Sequence, residues 1–170
     1  MNTTLPAAAA ALMAAGILVA SATAIPTEGA QRLDVSEGPA AGARGQALAM
    51  YKVTIPRGTT LDWHYHPGSQ VAWIASGRLH YTVVKGTAYA MIPRFGTSPR
   101  RVPIRFGQTR VLLAGHGLYE PKGMQHYART PEGRVVTVVT VLKKPADPGT
   151  IALGSPWASP VPPRVPAVAG

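Results

Sequence analysis

The chain has 170 residues, a formal net charge of +10 and no cysteine. That length suits one domain with a real core. The absence of thiols excludes a disulfide framework, a thiolate nucleophile and a zinc-finger site.

Glycine and proline number 18 and 17, well above average usage, which suits short strands joined by turns. Seven basic residues and no acid lie between Arg78 and Arg110. No helix-turn-helix, ribonucleoprotein or zinc-finger pattern accompanies them, so no nucleic-acid partner is expected. A basic solvated surface and attraction of an anionic small molecule to a site are the readings left open.

Residues 1–24 carry no charged side chain, and Ala7 to Ala20 is an almost unbroken apolar run, short for a membrane span. It ends in Ala22-Thr23-Ala24, a small-x-small cleavage signature, with Ala20-Ser21-Ala22 as the alternative site. The expectation is a signal peptide cut after Ala24, giving a periplasmic or secreted chain without a membrane anchor. The leader has no Lys or Arg, so an uncleaved anchor is the competing reading.

Residues 25–45 show no clear periodicity and read as a loose lead-in to a barrel over 46–144. Ala47 to Ile55 mixes apolar and β-prone residues and is bounded by Pro56-Arg57-Gly58. Further strands are predicted at about 60–66, 70–76, 78–84, 87–92, 109–114, 124–130 and 134–142. Val135 to Val141 is almost wholly β-branched and is the strongest of them. Ser76-Gly77 reads as a tight hairpin turn. Residues 93–107, with three prolines and four arginines, read as a surface loop rather than a strand. The proline-rich end, 145–170, reads as an extended tail that Trp157 can anchor. The expected class is all-β, a sandwich or barrel of the jelly-roll kind.

His64-Tyr65-His66 lies in a predicted strand. Side chains two apart on a strand share a face, so both imidazoles can converge on one ion. Pro67-Gly68 can turn the chain back to bring Gln70 alongside, and His126 opens another strand. Three imidazoles and an oxygen donor suit Zn, Fe, Ni, Cu or Mn. Spacing alone leaves packed, hydrogen-bonded histidines as an equal alternative.

The wider pattern adds to this. Gly58, five residues, His64-Tyr65-His66, three residues, Gln70, six residues and Gly77 resemble the first cupin motif, with Gln70 where that motif has Glu. Gly115, five residues, Pro121-Lys122-Gly123, two residues, His126, three residues and Thr130 resemble the second, with Thr130 where that motif has Asn. The resemblance covers residues 47–142 and implies a cupin double-stranded β-helix, a jelly-roll barrel, with one divalent metal ion on His64, His66 and His126 and Gln70 as an altered fourth ligand. It also admits a homodimer.

An amide in place of the carboxylate leaves the metal's charge unreduced, which would favour a bound anion. Gln70 then either ligates directly or hydrogen-bonds a metal-bound water. Asp62, in phase with His64 and His66, and Glu120, just before Pro121, are the candidate acid/base groups. Tyr119, Tyr127 and the apolar Trp73, Ile74, Val83 and Met124 are candidates for the pocket or core near it, and Arg94, Arg100, Arg101 and Arg105 for anion recruitment. His80 and His116 have no partner by spacing.

Two functions follow from the resemblance: a metal-dependent, quercetinase-like dioxygenase or related oxygen-using enzyme acting on a small organic substrate, and a non-catalytic small-molecule or sugar-binding sensor.

Overall fold

A computed structural model of the chain describes residues 29–154. The expected leader, and Trp157 with the rest of the proline-rich end, lie outside the described residues. These hold twelve strands and no helix: β1 (Gln31–Pro39), β2 (Ala47–Ile55), β3 (Thr60–Tyr65), β4 (Ser69–Ser76), β5 (Arg78–Lys85), β6 (Thr87–Ile92), β7 (Arg100–Arg105), β8 (Thr109–Leu113), β9 (Gly117–Glu120), β10 (Gln125–Arg129), β11 (Val135–Lys143) and β12 (Ile151–Gly154).

The strands form a seven-stranded sheet in the order β1-β2-β11-β4-β9-β6-β7 and a five-stranded sheet in the order β12-β3-β10-β5-β8. Every pairing is antiparallel. Burial alternates residue by residue along β2 and β11, as a half-buried strand requires. Tyr51, Val53 and Ile55 of β2 and Val135, Val139 and Val141 of β11 thus face inward. They share one core with Ile74, Tyr81, Val83, Leu112 and Leu118. The result is an all-β jelly roll whose two inner faces enclose the site.

The turns follow the glycines. Gly77 joins β4 to β5 at a φ of 85°, a left-handed conformation costly to any other residue. A side chain there would also press into the carbonyl oxygen of Arg134.

Four strands depart from the sequence reading. The lead-in contains β1, an edge strand whose side chains are mostly exposed. Exposure on both faces removes the apolar alternation by which a strand is recognised. The arginine-rich stretch contains β7, paired with β6 from Thr87↔Arg105 to Ile92↔Arg100. Pro103 is tolerated because β7 is an edge strand and its missing N–H breaks no central ladder, while Ile104 is buried in the core. β9 has four residues, too few to show a period. The proline-rich end supplies β12, which pairs with β3 at the edge of the smaller sheet.

Candidate metal centre

Each wall of the barrel brings a pair of polar side chains to the same depth. On the smaller sheet, His64 of β3 stands directly opposite His126 of β10. On the larger sheet, Gln70 of β4 stands directly opposite Glu120 of β9. His66, just past the end of β3, completes the group.

The ring centroids lie 4.2 Å apart for His64 and His126, 5.1 Å for His64 and His66, and 5.3 Å for His66 and His126. One ligating nitrogen from each lies within 4.8 Å of the others, and all three residues are buried.

Hydrogen bonds to the backbone set the tautomers of two rings. His64 Nδ1 contacts the carbonyl oxygen of Asp62, and His66 Nδ1 lies 2.7 Å from the carbonyl oxygen of Gly149. A carbonyl only accepts, so each Nδ1 carries the proton and each Nε2 keeps its lone pair. Burial, then the neighbouring His66, pushes the pKa of His64 down to about 3, against the opposing hydrogen bond to Asp62. Burial, then His64 and His66, pushes His126 well below the ordinary histidine value. The neutral imidazole is the form that binds a transition metal, and burial holds His64 and His126 in it. His126 Nδ1 is buried without a hydrogen-bond partner, and that ring is held instead by stacking on Tyr81, with centroids 4.7 Å apart.

The carboxylate comes from Glu120. Its Oε1 lies 3.2 Å from His126 Nε2, and its Oε2 lies 3.8 Å from His66 Nε2. The Glu120 carboxylate thus borders two of the three imidazoles, while the group whose ligand atoms all lie within 4.8 Å of one another comprises the three histidines. Tyr81 donates its hydroxyl to Oε1 at 2.5 Å, and Gln70 donates Nε2 to Oε2.

Gln70 therefore does not present its oxygen to the histidines. A carboxylate only accepts, so the amide nitrogen must face Glu120, and the amide oxygen accepts from Tyr51 at 3.1 Å. Both tyrosines are held above the ordinary phenol pKa, chiefly by burial, and so remain donors. Where the sequence reading has Gln70 ligate directly or bond a metal-bound water, the amide is engaged by Glu120 and Tyr51. Gln70 positions a carboxylate that β9 supplies from the facing strand.

The cavity around this group has a volume of about 80 Å³. Asp62, Ile74, Tyr81 and Thr150 line it, together with Arg32 from β1. Other candidates lie elsewhere. Tyr119 faces outward against Tyr89, and the Arg101 guanidinium sits 3.6 Å over the Tyr89 ring. None of Arg94, Arg100, Arg101 and Arg105 lines the cavity. Trp73 is exposed on the outer face of β4, whereas Val83 and Met124 belong to the core. Tyr127 is half-buried on β10. His80 pairs with the exposed Glu132, and His116 Nδ1 accepts from the Leu113 amide in a turn.

Arg32, Tyr51 and Tyr81 escaped the sequence reading. The two tyrosines carry a signal in retrospect, being aromatic residues with a hydroxyl at inward positions of strong strands, where a buried hydroxyl needs a partner. Arg32 carries none.

No family model and no curated protein matches the sequence. Among solved structures, the chain is similar in fold to the DMSP lyase DddQ from Ruegeria pomeroyi DSS-3, at 22% identity and a TM-score of 0.42 over 62% of this chain and 43% of that one. It is similar to a cupin 2 conserved barrel domain protein from Leptotrichia buccalis, at 15% identity and a TM-score of 0.46 over 68% and 42% of the two chains. A cupin-like protein from Thermotoga maritima MSB8 has 19% identity and a TM-score of 0.49 over 74% and 77%. The match thus spans less than half the length of the first two proteins. Both sequence motifs are present in order and their three histidines meet inside a jelly-roll barrel, the arrangement that the resemblance to cupins implies.

Proposed function

We propose that the chain holds one divalent transition-metal ion on His64, His66, His126 and Glu120, and uses it in dioxygenase-like oxidation of a small organic substrate. The observation that carries this reading is the buried histidine group with a carboxylate 3.2 Å from His126 Nε2. An ion so held supplies Lewis-acid or redox chemistry at an open coordination position.

The chain's own residues supply the rest. The Asp62 and Gly149 carbonyls orient two imidazoles. Tyr81 and Gln70 aim the Glu120 carboxylate. Ile74, Leu79 and Val139 exclude water from the cavity. With Glu120 committed to the ion, Asp62 is the one carboxylic acid left among the lining residues to accept or deliver a proton. That scarcity of acid/base groups favours oxygen chemistry over isomerisation or hydrolysis. The same scarcity is compatible with the second reading, a non-catalytic cupin that binds or senses a small molecule.

Elemental analysis of the purified protein tests the centre. One equivalent of Fe, Mn, Ni or Cu, lost in His64→Ala, supports the oxygenase, whereas Zn favours the binding module. Absence of metal binding at micromolar concentrations removes the oxygenase. Oxygen consumption with a flavonol and diketone panel then separates the two readings.

The leader reading places this activity in the periplasm or outside the cell. N-terminal sequencing of the exported protein should begin at Ile25, and recovery of an intact Met1 terminus in the membrane fraction would overturn that.

A further inference from the structure

Among the described residues, Arg32 is the one arginine lining the cavity beside the histidines, and nothing in the centre described above uses it. It stands opposite Val53 in the β1–β2 register, so both side chains point inward. Its side chain is only 15% exposed.

Three contacts hold the guanidinium still. The Tyr51 ring lies beneath it, with the central carbon 3.9 Å from the centroid. Asp34 Oδ1 accepts from both Nε at 2.7 Å and Nη2 at 2.6 Å. The backbone of Gly149 lies against Nη1, where a side chain at 149 would press into that nitrogen.

Asp34 occupies the Nε–Nη2 edge of the fork. Nη1 makes no hydrogen bond among the described residues, and Nη2 keeps a second N–H, on the Nη1 side, beyond the one turned to Asp34. A guanidinium edge of this kind binds a carboxylate through two parallel hydrogen bonds. The rigid setting means that little side-chain freedom is lost on binding.

We propose that the site takes a short monocarboxylate, its carboxylate on Arg32 and its apolar part against Val53, Ile55 and Leu61. The proposal deepens the metal-centre reading and rests on it for the orientation of the ligand's other end. Three features select this class. The cavity of about 80 Å³ admits only a small molecule. Its lining surface is mostly apolar, so it suits a ligand with one charged group. Glu120 and Asp62 stand among the lining residues and oppose a second negative charge. A phosphate dianion would need more donors than one half-used guanidinium offers.

Arg32 also explains the role of the two chain segments that flank the barrel. β1 carries the guanidinium, and the loop before β12 carries Gly149, whose carbonyl oxygen orients His66. The same glycine thus touches the anion-binding group and supports a metal ligand.

The test is calorimetric titration of the full metal-loaded chain with butyrate, butyramide and inorganic phosphate, in the native protein and in Arg32→Ala and Arg32→Lys. Metal content and thermal midpoint are read on the same samples. The expected result is at least a tenfold preference for butyrate over butyramide and over phosphate. Arg32→Ala should abolish that preference, and Arg32→Lys should keep part of it, with metal content unchanged in both. Equal binding of butyrate and butyramide to the native chain overturns the proposal, as does a preference that survives Arg32→Ala. Tighter binding of phosphate than of butyrate overturns the ligand class. If loss of binding in Arg32→Ala comes with loss of metal and a lowered midpoint, Arg32 is a structural residue and the proposal falls. Should the native chain hold no metal, the metal-centre reading fails separately, and the same preference in metal-free protein still decides Arg32.

Discussion

The two walls of the barrel contribute to the centre in different ways. The five-stranded wall supplies His64 and His126 as a cross-strand pair, with His66 beside them. The seven-stranded wall supplies Gln70 and Glu120, also as a cross-strand pair. On the first wall the residues stand where the cupin motifs place them. On the second, the amide occupies the motif's carboxylate position, and the carboxylate occupies the facing position on the next strand. A ligand set is thus defined by where donor atoms arrive in space. A register-matched neighbour can deliver the charge that a motif position has lost, provided a hydrogen bond aims it.

The sharpest way to break the comparison is on the histidine wall. His126→Ala should lower metal affinity by more than about 100-fold, since even outer supporting contacts are worth 10–100-fold. Equilibrium dialysis against a chelator-buffered metal series reads the loss. On the opposite wall, Glu120→Gln sets two amides face to face and should weaken the metal about 10- to 100-fold. The double exchange Gln70→Glu with Glu120→Gln moves the charge to the motif position and should recover most of the loss. If the exchanged protein binds no better than Glu120→Gln alone, the two positions are not equivalent.

Acid should separate the walls further. In metal-free protein, buried His64 and His126 are neutral, whereas in the unfolded chain they take up protons below about pH 6.5. The unfolded state then binds more protons, so stability falls as pH drops from about 6.5 towards the native value of His64 near 3. The thermal midpoint against pH reads this, and a flat midpoint over that window would show that the rings are not dry.

Smaller effects test the supports. Tyr81→Phe removes a buried hydrogen bond to Glu120 and should cost about 0.5–1.5 kcal/mol of stability, read by denaturant unfolding. Arg101→Ala on the outer face should cost only about 0.5–1 kcal/mol, the worth of an exposed cation–π contact. It should also leave metal content unchanged.

Legibility in the sequence tracks how local the cause is. β11 was plain because Val135 to Val141 is β-branched at nearly every position. The turn at Gly77 was plain too, but the expected hairpin is not formed, since β4 and β5 lie in different sheets and Gly77 carries the chain from one wall to the other. The histidines were legible because His64-Tyr65-His66 carries its geometry in the strand's period of two. β7 was hidden because an edge strand can carry Pro103 and exposed arginines without penalty. Glu120 was noticed only as an acid near Pro121, since β9 is too short to reveal that its side chain points inward. Arg32 stood in a stretch with no periodicity at all.

By itself, the sequence determined an all-β chain, eight of its strands and the three imidazoles, because alternation and turn glycines act over a few residues. The tertiary structure alone decided that Glu120 stands opposite Gln70 beside the histidines, and that Arg32 reaches the same cavity. The reason is register. Gln70 and Glu120 are 50 residues apart in the chain, and only the pairing of β4 with β9 makes them neighbours.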